Sequence, residues 1–139
     1  MAITWARENA EKSGLADAPV RWILDDAKAF LKKEIKRGHT YEGIIMDPPT
    51  FGHGPKNELW KIEDDFMELI SLAREALSPN ALFILMSGYA AGYSPIAYEN
   101  CLTQAMHGMP GEITSGELAL QESDSGRLLP AGIFARWSK

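Results

Sequence analysis

The chain has 139 residues, 14 Lys+Arg against 19 Asp+Glu, a net charge of −5 and a single cysteine, Cys101; that excludes a disulfide framework and a Cys-rich zinc module. With 45% hydrophobic and 24% charged residues it has the mix of a folded chain and not of a disordered one. Its longest apolar run, residues 81–86, is far short of the roughly 20 needed to span a bilayer, and its first eight residues lack a signal-peptide layout, so one cytoplasmic domain over 1–139 is expected, with no general attraction for nucleic acid.

Residues 2–13 read as a helix, with Ile3, Ala6 and Ala10 on one face and Gly14 as its stop. Residues 20–24 read as a short apolar strand. Asp25-Asp26 follows and suits the cap of a second helix over about 27–36, stopped by Gly38. Residues 41–46 form the next expected strand, stopped by Asp47-Pro48-Pro49, because proline has no amide hydrogen for a ladder. Residues 50–56 read as a loop carrying Phe51 and His53. A helix over about 63–77 follows, with Phe66, Leu69, Ile70, Ala73 and Leu77 along one side.

The run 81–86 has the pattern of a strand covered on both faces. Residues 87–93 are a glycine-containing loop, and Pro95 suits the first turn of a helix reaching about His107. Residues 112–120 and 133–137 are candidate strands joined by a polar turn. The alternation implies a parallel sheet with helices on both faces. The last two strands have too little chain between them for a crossover and are expected as an antiparallel hairpin. Ligands of such sheets sit beyond the strands' carboxyl ends, which brings Asp25-Asp26, the segment 47–51 and Ser87 to Tyr89 to one edge.

Asp47-Pro48-Pro49-Thr50-Phe51 is the sharpest feature. Two prolines lock φ near −65°, so the Asp47 carboxylate and the Pro48 carbonyl become acceptors at nearly fixed positions. Such a pair can hold the amino group of a base or amide, and Phe51 can supply a stacking face. The plain alternative is a rigid strand-end turn with a capping aspartate. No histidine or cysteine spacing suggests a metal site.

The chain resembles the C-terminal two-thirds of a class I S-adenosylmethionine-dependent methyltransferase domain, in particular the bacterial ribosomal-RNA large-subunit group. The resemblance rests on Ala2 to Asn9, on Arg21-Trp22-Ile23-Leu24-Asp25-Asp26-Ala27, on Gly43 to Gly52, and on the tail Ser125 to Pro130 with Phe134-Ala135-Arg136-Trp137. It implies an α/β, Rossmann-like sheet ending in an antiparallel hairpin, S-adenosylmethionine as cofactor, and RNA or another nucleobase-bearing substrate. By position, Asp26 matches the residue that accepts from the adenine amino group, and Ala27 offers its amide to the same ring. Asp47, Pro48 and Pro49 match the motif beside the reactive methyl, and Phe51 the aromatic of that loop. Asp26 serves equally well as a helix cap, and Trp60 reads as either core or site.

Methylation at a pyrimidine C5 normally needs a cysteine nucleophile. The members that do this carry it after the strand matching 81–86, where this chain reads Ser87-Gly88-Tyr89. The resemblance therefore implies a nitrogen acceptor ahead of carbon or oxygen. A complete domain of this kind opens with a strand, a Gly-x-Gly turn, a helix and a strand ending in a ribose-binding acid. None of these is recognisable here, so the sheet is expected to lack its first two strands. The strand 20–24 is then left without a native neighbour, and cofactor affinity is expected to be poor or absent. A non-catalytic fragment or interaction module is the alternative.

Overall fold

The computed structural model describes residues 2–54, 59–89 and 92–139; Pro55 and Lys56 of the expected loop, and the centre of the 87–93 loop, lie outside them. The described elements are α1 (Ala2–Lys12), α2 (Ala27–Lys36), β1 (Gly43–Met46), β2 (Phe51–His53), β3 (Leu59–Lys61), α3 (Ile62–Glu75), β4 (Phe83–Gly88), α4 (Pro95–Ala105), β5 (Glu112–Gln121) and β6 (Leu128–Ser138).

The main sheet has the order β1-β4-β6-β5. β1 and β4 are parallel, in register from Gly43↔Phe83 to Met46↔Met86. β6 runs antiparallel between β4 and β5, with Ile84 and Ile113 both opposite Trp137. The sheet therefore ends in the expected antiparallel hairpin. Ile84, Met86, Ala135 and Trp137 point to one face, where Phe66, Ile70, Ala73, Tyr98 and Leu102 of α3 and α4 complete the core. The other face differs from expectation. No described helix packs on it, and Ile45 there is 69% exposed. α1 forms as predicted, but none of its residues is buried.

Residues 20–24 are a second correction. They form no ladder with any described strand, and Leu24 is 79% exposed. The physical reason is that a strand is stabilised by its partner: unpaired amides keep their bonds to water and gain nothing by extending. The same absence shows at β1, which is the edge of the sheet, so one side of its backbone has no partner among the described residues. This is the sheet expected from the resemblance, without its first two strands.

α2 forms where its end signals place it. Asp26 Oδ1 accepts from the Ala29 amide at 2.8 Å, and Gly38 closes the helix at φ +72°, with His39 N–H bonded to the Glu34 carbonyl. The phase that buries Leu31 also buries Glu34, which is 1% exposed. Its carboxylate accepts from Tyr41 Oη at 2.7 Å and Arg37 Nη1 at 3.0 Å, lies 3.1 Å from His39 Nδ1, and has Arg21 at 4.0 Å. These bonds, Tyr41's foremost, pull its pKa from 4.5 down to about 2. Glu34 thereby ties α2 to the chain entering β1.

Candidate active site

The sheet's carboxyl edge and the first turn of α2 border an open cavity of about 800 Å³. Asp26 and Ala27 enter it from α2, Asp47, Pro48 and Pro49 from the end of β1, and Leu24, Phe30 and Ile44 supply apolar wall. Five of the six residues singled out from the sequence thus share one space. Phe51 does not line it. Its ring is 56% exposed on β2 and meets the His53 ring edge-on at 5.5 Å. Asp26 spends Oδ1 on the helix cap, and Oδ2 has no partner among the described residues, so capping and ligand binding do not compete for one oxygen.

The expected loop 50–56 instead begins a hairpin. β2 and β3 pair antiparallel, with Gly52 opposite Trp60. A segment rich in Gly and Pro hides this, since pairing needs only three residues on each side. The hairpin brings Trp60 to the cavity, where its Nε1–H donates to the Pro49 carbonyl at 2.5 Å. The Lys28 ammonium lies 5.8 Å from the Trp60 ring centre and donates to Asp65 at 2.5 Å and Glu68 at 3.0 Å. The Asp65 hydrogen bond, the largest influence, holds the Lys28 pKa above its ordinary value. Sequence reasoning left Trp60 open and missed Lys28. Trp60's sequence signal is no more than a tryptophan eleven residues past the proline pair, and Lys28 has none beyond following Ala27.

Ser87 to Tyr89 do not join this cavity. Gly88 and Tyr89 border a second, smaller one of about 310 Å³, with Tyr93, Glu117 and Pro130. Gly88 has a packing reason: a Cβ there would collide with Tyr98 Oη. That hydroxyl is buried and has no hydrogen-bond partner among the described residues. Cys101 sits half-buried on α4, and burial pushes its thiol pKa up, away from nucleophilic use.

The lysines of α2 are largely neutralised. Lys28 and Lys32 share Glu68, and Lys33 reaches Asp25 at 2.6 Å. Arg37 is bound to Glu34, and Arg127 pairs with Glu122 in the β5–β6 turn at 3.1 Å. These basic side chains of α2 are therefore a solvated, ion-paired helix face. Among the described residues, no three ligating side chains are gathered for a metal, and no helix is long and apolar enough to cross a membrane.

No protein-family model matches the chain. A SAM-dependent methyltransferase of Agrobacterium tumefaciens, solved by crystallography, is 38% identical and superposes with a TM-score of 0.93 over 99% of this chain and 45% of its own. The ribosomal RNA large subunit methyltransferase K/L of Shewanella frigidimarina is 34% identical over 83 residues, which is 59% of this chain and 11% of that protein. The ribosomal RNA large subunit methyltransferase I of Klebsiella pneumoniae is 29% identical over 86 residues, 62% of this chain and 21% of that protein. The chain thus spans a small part of the curated relatives it matches and under half of the solved one. Its resemblance to class I methyltransferases, the ribosomal-RNA group among them, holds in sequence and in fold.

Proposed function

We propose that this chain carries the adenine-binding and acceptor-facing parts of an S-adenosylmethionine-dependent methyl-transfer site that acts on a nitrogen of an RNA nucleobase. The observation that carries the reading is the single cavity lined by Asp26, Ala27 and Asp47-Pro48-Pro49, at the carboxyl edge of a sheet of this strand order. The likeness to the Agrobacterium methyltransferase and to the ribosomal-RNA methyltransferases supports both cofactor and substrate class.

The residues fit the adenine end of that cofactor. Asp26 Oδ2 accepts from an exocyclic amino group, and the Ala27 amide, one of the unpaired donors of a helix's first turn, gives to a ring nitrogen. Leu24, Phe30 and Ile44 cover the ring. When bound, the cofactor supplies a methyl already activated on a sulfonium, so the protein's work is alignment. The Asp47 carboxylate and Pro48 carbonyl orient the acceptor amino group. Asp47 also balances positive charge as the nitrogen alkylates, and it accepts the departing proton. Phe51, outside the lining but edge-on to the ring of His53, which does line the cavity, offers its exposed ring to a base.

A second reading is favoured by the edge of β1 and the segment 20–24, neither of which has a strand partner there among the described residues. In it, the 139 residues alone hold cofactor poorly and act as a fragment or interaction module. Both readings are tested with methyl-labelled cofactor and total RNA. One sample holds the chain as given. The other holds a fused form with a class I strand, glycine-rich turn, helix and strand ahead of Ala2. The fused form is expected to label RNA at a base nitrogen, found by mass spectrometry of nucleosides, and the chain alone to label little. No label from a folded fused form overturns the methyl-transfer reading; a carbon-5 product overturns the nitrogen.

A further inference from the structure

The contacts around Trp60 tie the two sides of the cavity together. Its indole N–H takes the Pro49 carbonyl at 2.5 Å, and its ring lies against Lys28, the residue after Ala27. Lys28 is held in turn by Asp65 and Glu68 of α3. Asp65 also accepts the Lys61 amide at 2.9 Å, and Ile62 N–H reaches the Thr50 carbonyl at 3.0 Å. The segment after β1 is thus held at two successive carbonyls, those of Pro49 and Thr50. A proline pair needs this, because it has no amide hydrogens with which to anchor itself.

We infer that Trp60 is a positioning residue for the Asp47-Pro48-Pro49 segment, set by Lys28, so that this segment and the first turn of α2 hold a fixed spacing. The inference rests on the methyl-transfer reading for its purpose but not for its geometry. One consequence concerns recognition. Trp60 occupies the Pro49 carbonyl, so the acceptors left for a substrate are the Asp47 carboxylate and the Pro48 carbonyl. Lys28 adds a cation–π contact that keeps the indole edge turned to Pro49.

The test is amide hydrogen exchange on the full 139-residue chain, with Trp60 replaced by phenylalanine or by benzothienylalanine, which keeps the ring shape and lacks the N–H. Losing one net hydrogen bond is expected to speed exchange in residues 50–53 about three- to tenfold, with β4, β6 and α4 unchanged. The Trp60 indole N–H resonance is a second readout. It is expected to exchange more slowly than that of exposed Trp5, and to lose that protection in Lys28→Gln. Wild-type exchange at 50–53 in the benzothienylalanine protein overturns the positioning role. Equal acceleration through the sheet and α4 makes Trp60 merely structural and also overturns it. An indole resonance indifferent to Lys28→Gln overturns the link to α2. Failure of the fused form to bind cofactor removes the methyl-transfer reading and leaves these exchange results unaffected, so the two failures are distinguishable.

Discussion

Replacing Gly88 with alanine probes the packing at the carboxyl end of β4. The added Cβ would collide with Tyr98 Oη and lie 3.1 Å from Cζ and 3.3 Å from Cε2. Tyr98 cannot swing aside, because it is 1% exposed and its ring packs on Phe66 at 4.9 Å. Overpacking of this kind costs about 1–3 kcal/mol. For a chain of this length, about 2 kcal/mol lowers Tm by roughly 6–10 °C. The worst contact is with the hydroxyl, so Tyr98→Phe should relieve most of it. Alone, Tyr98→Phe should change stability by less than about 0.5 kcal/mol, since the buried hydroxyl has no described partner to lose. Urea denaturation of the two single variants and the double variant gives the coupling. At least about 1 kcal/mol of recovery is expected, and additive losses would refute the packing argument. A cysteine at 88 would meet the same obstacle.

Other outcomes follow from the same contacts. Glu34 has a folded pKa of about 2 against an ordinary 4.5, so its contribution to stability is complete above about pH 4.5 and is lost as pH falls toward 2; Tm between pH 2 and 5 should fall less steeply in Glu34→Gln, and parallel curves would contradict this. Asp26→Ser should keep the α2 cap within about 0.5 kcal/mol, whereas Asp26→Ala costs about 1 kcal/mol. In the fused form, both variants should weaken cofactor binding about tenfold by calorimetry, and unchanged binding by the Ser variant would make Asp26 a cap alone. Phe51→Ala in the fused form should raise KM for RNA and leave cofactor affinity unchanged; equal change in both would remove its stacking role.

Much of this was legible because it is local. Both ends of α2 are written in Asp26 and Gly38, and a proline pair after an apolar strand places Asp47 at the sheet edge. The hairpin of β5 and β6 follows from the short turn between them. The segment 20–24 misleads because an apolar pattern states what a segment would do beside a partner, not whether the partner is there. Glu34 was readable from the phase of α2, where it falls in line with Phe30 and Leu31. Trp60 was not, since its role depends on the pairing of two three-residue strands that returns it to Pro49. Nor was the need for glycine at 88, which arises only when α4 folds back to set Tyr98 against β4.

In the proposed reading the cavity between α2 and β1 is a cofactor site, beside a sheet edge that has no partner among the described residues. Calorimetric titration of S-adenosylhomocysteine separates the two halves of that statement. The chain as given should show no micromolar binding, and the fused form, verified as folded by circular dichroism, should bind one equivalent with micromolar affinity. Micromolar binding by the 139-residue chain would contradict the open-edge account, and no binding by the folded fused form would contradict the cofactor site itself.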